Sequence, residues 1–342
     1  MNNSVSIKDI AKKFKCAPST ISRALNDHPA INIETRKTIQ EYALKVGYQK
    51  NTLSLSLLNN CSMTLGLILP SITHFHESSM LEGLEDILLK SGYLLNICVS
   101  NESHTIEKEY IDRLLANRVD GLFISMAQES YDQQLGEHID RVIQRSLPVI
   151  FIDRPNHGVA SDRVVTDDYQ GAYMATKHLI DMGCLRIAHL HGPSGISVSK
   201  QRFLGYQDCL LAHGRKVEEK WIQYVHFSAE SAIAATRNLM QLDQKPDGIF
   251  GVNDEVCLAA MHVLRDLGIS IPQDVAIVGF DDIPLASFGY PPLSSVSRQS
   301  RRIGEEAAKL FLSKKTHNKS PITISLDPKL MIRDSSLRVM MN

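Results

Sequence analysis

The 342-residue sequence lacks the features that define several protein classes. No apolar run reaches the roughly 18 residues needed to span a bilayer. The N-terminus shows neither the apolar core nor the cleavage site of a secretory signal. The six cysteines are scattered without a C-x-x-C pair, which argues against a disulfide framework and against a zinc site. We therefore expect a cytoplasmic globular protein.

Signature motifs of common α/β enzymes are also missing. The sequence contains no G-x-S-x-G elbow, no P-loop and no G-x-G-x-x-G between a strand and a helix. The glycine-rich stretch Gly192–Gly195 is not followed by the Lys-Ser/Thr pair of a P-loop. We predict no enzymatic activity and no cofactor, and we keep a sugar-acting enzyme as the alternative.

Net charge is close to zero for the whole chain but not for its parts. Residues 1–60 carry nine lysines and arginines against four acidic residues, a balance of +5. The remaining residues carry 28 basic against 34 acidic side chains, a balance of −6. A basic head on an acidic body is typical of a nucleic-acid-binding module joined to a domain with another task.

Residues 6–25 predict two short helices joined by a tight turn. Ser6 and Asp9 have the spacing of a capping box, which opens the first helix. Pro18 suits the first turn of the second helix, where its missing N–H costs nothing. The apolar residues of the first helix recur on one helical stripe: Ile7, Ile10, Ala11 and Phe14.

The second helix of this pair places small polar residues and an arginine on its outer face. Its buried side is predicted to hold Ile21 and Leu25, and its outward residues are Ser19, Thr20, Ser22 and Arg23. A third helix is predicted from the cap Asn32 to Gly47. Such an arrangement is typical of a helix-turn-helix whose second helix enters the major groove of DNA. The alternative is a small helical bundle with a basic surface.

From Thr64 onward, short apolar strands alternate with amphipathic helical segments. The predicted strands are Leu65–Leu69, Leu94–Val99, Gly121–Ser125, Val149–Ile152, Ile187–Leu190, Gly248–Val252 and Val275–Gly279. The helical segments between them include Met80–Ser91, Glu107–Asn117 and Gly171–Met182. This alternation predicts parallel sheets covered by helices on both faces, in two similar lobes.

Unusual polar and aromatic residues follow the carboxyl ends of these strands. They are His74, Phe75, His76, Ser125, Asp153, Arg154, Asn253 and Asp281. Ligands of open α/β sheets bind at these strand ends. Carboxylates, amides and arginine suit sugar hydroxyls, and an aromatic side chain covers an apolar ring face. The alternative for Asp153 and Arg154 is a structural ion pair.

Two histidine pairs have i, i+2 spacing, His74 with His76 and His189 with His191. This spacing places both rings on one side of a strand, but a metal site requires a third ligand. Neither pair has a cysteine or a carboxylate cluster nearby in the sequence. We predict no metal site.

The segments SIKDIAKKF, PSTISRALNDHPAINIETR and VGY resemble the N-terminus of the LacI/GalR family of bacterial transcriptional regulators, and the resemblance continues to the C-terminus. It implies an all-α helix-turn-helix head and a two-lobed periplasmic-binding-protein-like body of parallel, doubly wound sheets. It also implies a homodimer that binds double-stranded DNA at a palindromic operator. A small effector would control this regulator, usually a repressor of a catabolic operon.

The resemblance also implies domain boundaries. The DNA-binding domain would occupy residues 1–50, a hinge helix 51–62, and the effector-binding and dimerisation domain 63–342. The N-lobe would comprise 63–163 and 292–321, and the C-lobe 164–291 and 322–342. The chain would cross between the lobes near residues 163, 291 and 322.

On the DNA side, Ser19 and Arg23 are the residues expected to read bases. Contacts to phosphates or near the backbone are expected from Lys8, Ser22 and Asn26. Thr20 lies on the same face, and Pro18 would at most touch a thymine methyl.

In the hinge, the family's leucine that wedges into the minor groove corresponds to Leu57. The hinge departs from the family because Leu55 and Leu58 replace common basic residues and Lys50 replaces a usual proline. Its alternative is a loop whose leucines pack on the next domain.

On the effector side, four residues match the family's contacts: Arg202, Phe227, Asn253 and Asp281. His74 to His76 replace the family's usual Asn-Pro-Phe, and Phe227 has a core residue as its alternative. The expected effector is a sugar or sugar derivative, with a nucleoside or nucleobase as the second choice. A solute-binding protein on the same fold is the other alternative, but the DNA-binding head argues against it.

Overall fold

The structure is a computed structural model that describes residues 5–48, 61–156, 158–193, 195–314 and 320–338. The chain divides into two compact units, Met1–Ser62 and Met63–Asn342. Within the described ranges, no helix combines the length and the apolar character that crossing a membrane requires.

The described residues of the first unit form three helices: α1 (Ile7–Phe14), α2 (Pro18–Leu25) and α3 (Ile33–Lys45). The capping box is confirmed, because the Asp9 N–H donates to Ser6 Oγ and Asp9 Oδ2 accepts from the Ser6 N–H. Pro18 begins α2, and Asn32 caps α3 by accepting from the Glu34 N–H. Ile10, Ile21 and Ile39, one from each helix, are fully buried and form the centre of the head's core.

The second unit holds two six-stranded sheets. The first sheet contains β1 (Thr64–Leu69), β2 (Leu94–Val99), β3 (Leu122–Ile124), β4 (Val149–Ile152), β5 (Asp162–Thr166) and β11 (Thr323–Leu326). Its strand order is β11-β5-β4-β3-β1-β2, and every pair is parallel. Its inner strands are fully buried, which is why they are continuous apolar runs in the sequence.

The second sheet contains β6 (Ile187–His191), β7 (Ile222–Tyr224), β8 (Gly248–Gly251), β9 (Ala276–Asp281), β10 (Ser294–Ser297) and β12 (Lys329–Met331). Its order is β12-β10-β9-β8-β6-β7. The sheet is parallel except for the edge strand β12, which runs antiparallel to β10. The predicted parallel sheets are confirmed, and the second sheet adds one antiparallel strand at its edge.

Helices cover both faces of each sheet. Those of the first lobe are α4 (Phe75–Lys90), α5 (His104–Ala116), α6 (Gln128–Asp132), α7 (Glu137–Gln144) and α13 (Ser300–Lys314). Those of the second lobe are α8 (Asp168–Asp181), α9 (Ser197–Ala212), α10 (Ala229–Gln241), α11 (Asp254–Asp266) and α12 (Pro284–Phe288). Each sheet thus has an apolar core on both of its faces.

The chain crosses between the lobes three times, a few residues later than the sequence predicts. The strand β5 belongs to the first sheet and α8 packs on the second, so the first crossing lies near residue 167. The second lies near 298, because β10 is still part of the second sheet, and the third near 327. The predicted lobe boundaries at 163, 291 and 322 are corrected accordingly.

Candidate functional site

In the head, the predicted DNA-contacting residues lie on α1 and α2 or directly after α2. Five of them are exposed: Lys8, Pro18, Ser19, Arg23 and Asn26. Thr20 and Ser22 are half-buried on the same helix. Ile21 and Ala24 turn inward and fix α2 against the core, so that its opposite face is available to a groove. Leu57, Leu55, Leu58 and Lys50 lie outside the described residues.

A cleft between the two lobes opens at the carboxyl ends of both sheets. Its lining includes eight of the nine predicted effector residues, namely His74, Phe75, His76, Asp153, Arg202, Phe227, Asn253 and Asp281. Ser125 is the exception: it is buried, and its N–H donates to Ile68 O between two strands. The cleft is partly open to solvent.

On the first-lobe side, Asp153 is the centre of a buried ion-pair group. Arg298 donates to Asp153 Oδ1, and His76 Nε2 lies 3.3 Å from the same oxygen. Burial opposes ionisation, but the charge of Arg298 together with His76 holds the pKa of Asp153 well below its ordinary value. His76 Nδ1 also lies 2.7 Å from Ser300 Oγ, beside the second crossing. Asp153 and His76 therefore fix the crossing segment as well as line the cleft.

On the second-lobe side, Arg202 is almost fully buried at 2 % exposure. Its Nε donates to Asp168 at 2.9 Å, its Nη1 donates to Val252 O, and its Nη2 lies 3.4 Å from Asp281 Oδ1. The guanidinium also stacks 3.7 Å from the ring centroid of Phe280. In this structure its donors bond protein groups, which hold the guanidinium in a fixed orientation at the cleft wall.

Three predicted site residues adopt left-handed backbone conformations: Asp153 (φ 62°), Phe227 (φ 55°) and Asp281 (φ 102°). Such conformations are unfavourable for residues other than glycine and concentrate at functional sites. All three lie at or shortly after the end of a strand and line the cleft. Phe227 both lines the cleft and packs against the second-lobe core, so its two interpretations are compatible.

Asn253 and Asp254 are neighbours with different roles. The Asn253 side-chain oxygen accepts from the Val256 N–H and caps α11, which leaves its amide NH₂ as the group it can offer to the cleft. Asp254 points into the core, accepts from Ser295 Oγ and the Ile283 N–H, and has its pKa raised by burial. Asp254 is therefore structural.

One contact joins the two lobes across the mouth of the cleft. His74 Nδ1 of the first lobe lies 3.4 Å from Glu255 Oε1 of the second, and both side chains are about two-fifths exposed. The hydrogen bond to Glu255 raises the pKa of His74.

Sequence reasoning missed several lining residues, chiefly Glu77, Glu255 and Arg298. Glu255 could have been found from its place directly after the strand-end pair Asn253 and Asp254. Arg298 could not, because it lies in a crossing segment rather than at a predicted strand end.

The His189 and His191 pair takes part in aromatic packing. The two rings stack with centroids 5.4 Å apart, and His189 also stacks on Phe250. Burial lowers the pKa of His189 to about 3, so the ring is neutral at physiological pH. Its Nδ1 lies 3.0 Å from Phe250 O.

A different group, His104, Glu107 and His138, brings metal-binding side chains together in the first lobe. Glu107 is fully buried, and both of its oxygens have protein donors. Oε1 accepts from Ser130 Oγ and lies 2.8 Å from His138 Nε2, and Oε2 accepts from the Ala127 N–H. These bonds tie α5, α6 and α7 together and account for the group without a metal ion.

Comparison with known proteins covers nearly the whole chain. Residues 176–336 match the family described as periplasmic binding protein-like domain. The HTH-type transcriptional repressor PurR of Vibrio campbellii is 26% identical over 332 residues, which are 96% of this chain and 98% of that protein. The transcriptional regulator CelR in complex with cellobiose is 27% identical, with a TM-score of 0.72 over 97% of this chain and 99% of that one.

The lac repressor dimer bound to operator and the anti-inducer ONPF shares the fold. Its TM-score is 0.87 at 21% identity, over 98% of this chain and all of that one. A helix-turn-helix head, a two-lobed body with a polar cleft and full-length repressor relatives define a DNA-binding transcriptional regulator rather than an enzyme. The chain is similar to regulators of the LacI family, including the LacI family transcriptional regulator from Enterococcus faecium with bound ribose, which is 27% identical with a TM-score of 0.70 over 80% of this chain and 98% of that one.

Proposed function

We propose that the protein is a cytoplasmic repressor whose homodimer binds a palindromic operator and releases or engages it in response to a sugar-like effector. The observation that carries this proposal is the presence, in one chain, of an exposed Arg23 face on α2 and a polar cleft at the strand ends. Residues 1–50 would read DNA, 51–62 would form the hinge, and 63–342 would bind effector and partner subunit.

On DNA, α2 would lie in the major groove. Arg23 is exposed near the end of α2, where its fork of donors can bond guanine, and Ser19 is short enough to let the helix approach base edges. Lys8 and Asn26 would contact phosphates beside the groove. A palindromic site follows from two-fold symmetry, because each subunit supplies one head.

Exposed apolar surface on the body supports the homodimer. In the first lobe, Leu94 and Ile97 of the edge strand β2 are 63% and 46% exposed. In the second lobe, Leu285, Phe288 and Tyr290 are 63%, 80% and 91% exposed around α12. We propose that these exposed apolar residues take part in the association of two subunits. One self-complementary interface could cover both.

The cleft suits a hydroxyl-rich ligand. Asp281 can accept, the Asn253 amide can donate, and Phe227 offers a ring face. The complex of CelR with cellobiose supports a sugar as the ligand class. The effector residues of this proposal are His74, Phe75, His76, Asp153, Arg202, Phe227, Asn253 and Asp281.

Coupling between the two ligands would run through lobe separation. His74 of the first lobe and Glu255 of the second lie 3.4 Å apart, so a ligand that separates these side chains or draws them together would alter the lobe geometry. A change in lobe geometry alters the separation of the two subunits' heads and hence the free energy of engaging both half-sites. Coupling free energies of this kind are typically about 1–3 kcal/mol.

Selection of bound sites from a random DNA pool tests the proposal. Purified full-length protein should enrich an inverted repeat, either alone or with a mixture of sugars present. Enrichment of a single unrepeated half-site would contradict the homodimer. Absence of any enriched motif under both conditions would contradict the proposed DNA-binding function.

A further inference from the structure

Gly195 lies at a close contact between the two lobes. It is located between β6 and α9 of the second lobe, and its φ is outside the left-handed region, so its backbone would admit a side chain. The space is taken by Asp132, the last residue of α6 in the first lobe. A Cβ on Gly195 would lie 1.9 Å from Asp132 Oδ1, 2.6 Å from its Cγ and 2.8 Å from its Oδ2. The absence of a side chain therefore permits the close approach of the lobes here.

A small rotation of the Asp132 carboxylate would not make room for a side chain at position 195. Rotation about χ2 moves only the two oxygens and leaves Cγ 2.6 Å from the added carbon. Room requires either a change of χ1 or a separation of the lobes. The separation would be about 1.5 Å, which takes the shortest distance from 1.9 Å to the 3.4 Å of ordinary contact.

The elements that meet at this contact also hold lining residues of the cleft. The first backbone N–H of α6, the helix that ends at Asp132, donates to Glu102 Oε2 at 2.8 Å. Glu102 Oε1 in turn accepts from Arg154 Nη1 at 2.8 Å, and Arg154 lines the cleft. On the second lobe, α9 begins two residues after Gly195 and carries Arg202. The contact thus connects supports of both cleft walls.

The lobes approach each other at a second place, where His74 Nδ1 lies 3.4 Å from Glu255 Oε1. The hydrogen bond to Glu255 raises the pKa of His74, and the nearby carboxylates Glu77 and Asp281 add to this effect, against the opposing effect of burial. A separation of the lobes by a further 1.5 Å would exceed hydrogen-bonding distance at this contact. The pKa of His74 would then fall toward its ordinary value.

We propose that position 195 sets how closely the two lobes approach: glycine admits Asp132 and allows the lobes to close, whereas a side chain there would hold them apart and weaken effector binding. The cleft lining comes from both lobes, with Asp153 on one wall and Asp281 on the other. A ligand that contacts both walls therefore requires the close approach. This inference rests on the proposed effector role of the cleft and adds the contact that limits its closure.

A volume-matched pair of substitutions tests the contact. Gly195→Val adds three heavy atoms, and Asp132→Ala removes three, the carboxylate carbon and its two oxygens. Gly195→Val alone should hold the lobes apart, and the double variant with Asp132→Ala should restore their approach. Asp140→Ala, at an exposed acid of α7 in the same lobe, is the control and should restore nothing when combined with Gly195→Val.

NMR titration of His74 in the full-length protein reports the lobe separation, with its signal identified by its loss in His74→Asn. The wild type and the double variant should show the raised pKa, and Gly195→Val a lower one. An equal pKa in the wild type and Gly195→Val would overturn the proposal, because Asp132 would then have turned aside with the lobes unmoved. A lowered pKa that Asp132→Ala did not restore would also overturn it, because the effect would not arise from this contact.

Calorimetry with cellobiose, ribose and glucose tests the consequence for binding. A sugar that binds the wild type should bind Gly195→Val about 5- to 150-fold more weakly, the range expected from overpacking at a close contact, and should bind the double variant nearly as well as the wild type. Unchanged affinity in Gly195→Val would refute the role of position 195 in binding. Failure of all three sugars to bind the wild type would count against a sugar effector, whereas the His74 titration would still decide the lobe contact.

Discussion

At the scale of single residues, the cleft is organised by arginines that share carboxylates. Arg202 lies between Asp168 and Asp281, and Arg298 lies between Asp153 and Asp281. Asp281 thus lies close to both arginines while remaining part of the lining. A ligand hydroxyl that bonds Asp281 would meet a carboxylate already fixed in position, which lowers the ordering cost of binding.

We therefore expect Asp281→Ala to weaken effector binding about 10- to 100-fold, the loss of a hydrogen bond to a charged acceptor. Operator affinity of the ligand-free protein should stay near normal, because Asp281 is in the second unit. Calorimetry measures effector affinity, and fluorescence anisotropy measures operator affinity. Asp266→Ala, at an exposed acid of the same lobe, is the control. Unchanged effector binding would remove Asp281 from the site.

In the head, Arg23→Ala should reduce the preference for operator over random DNA by about 1–3 kcal/mol, because base contacts rather than phosphate contacts carry sequence information. Effector affinity should be unaffected. Lys8→Ala should instead weaken binding to all sequences alike. It should also reduce the slope of log affinity against log salt concentration by about one. Competition binding at several salt concentrations distinguishes the two patterns. If Arg23→Ala weakened operator and effector binding equally, its assignment as a base reader would be wrong.

The residues that follow strands could be predicted to line the cleft, because the carboxyl ends of parallel strands meet at one edge of a sheet. Asp153, Asn253 and Asp281 are examples, and all three line the cleft. Arg298 could not be predicted in this way. It pairs with a residue 145 positions earlier, and it lies in a crossing whose location depends on which sheet β10 joins.

At the scale of secondary-structure elements, the first lobe depends on the close approach of α4 and α13. The two helices meet at glycines. A Cβ on Gly83 would lie 2.0 Å from Arg301 O, and one on Gly304 would lie 2.0 Å from Met80 O. Because both obstacles are backbone atoms, neither can move aside without separating the helices.

Gly83→Ala should therefore destabilise the protein by about 1–3 kcal/mol or more through overpacking. An alanine at an unconstrained helix position would instead stabilise it by up to about 1 kcal/mol. Glu85→Ala, on the exposed side of the same helix, should change the free energy of unfolding little. Urea-unfolding curves measure both, and stabilisation by Gly83→Ala would contradict the observed approach of the helices.

The stacked histidines of β6, His189 and His191, lead to a second prediction at this scale. The pKa of His189 is about 3 in the folded protein and close to 6.5 in the unfolded chain. Between these values the unfolded state binds the additional proton, so the free energy of unfolding falls as pH decreases from about 6.5. The contribution of one group is at most about 1.4 kcal/mol per pH unit.

His189→Asn, which keeps a donor for Phe250 O, should remove this contribution and flatten the profile below pH 6.5. His262→Asn, at an exposed histidine of α11, serves as the control. Unfolding free energies between pH 5 and 7 provide the comparison. Parallel profiles for the wild type and His189→Asn would contradict a neutral buried ring.

Some strands of the body are easier to predict from the sequence than others. The buried strands β1, β4 and β8 are continuous apolar runs, and the sequence predicts each to within one residue. The sequence analysis did not predict the strands β5, β10 and β11, whose sequences are DRVVT, SSVS and TISL. Short polar or alternating segments of this kind contain no continuous apolar run. The strands β7 and β12 were also missed. The crossings are bordered by β5, β10, β11 and β12, so the lobe boundaries were displaced with these strands.

At the scale of the whole molecule, two units of opposite charge divide the work of the regulator. The basic head, at +5 over residues 1–60, is suited to DNA, whereas the acidic body is not. An acidic body also disfavours unspecific association of the second unit with DNA. The central claim is that binding at one unit changes binding at the other.

Thermodynamic linkage tests that claim most directly. Operator affinity should be measured with and without saturating effector, and effector affinity with and without saturating operator. The account predicts that both change by the same factor, about 5- to 150-fold, because coupling is reciprocal. An effector that occupies the cleft and leaves operator affinity unchanged would contradict it.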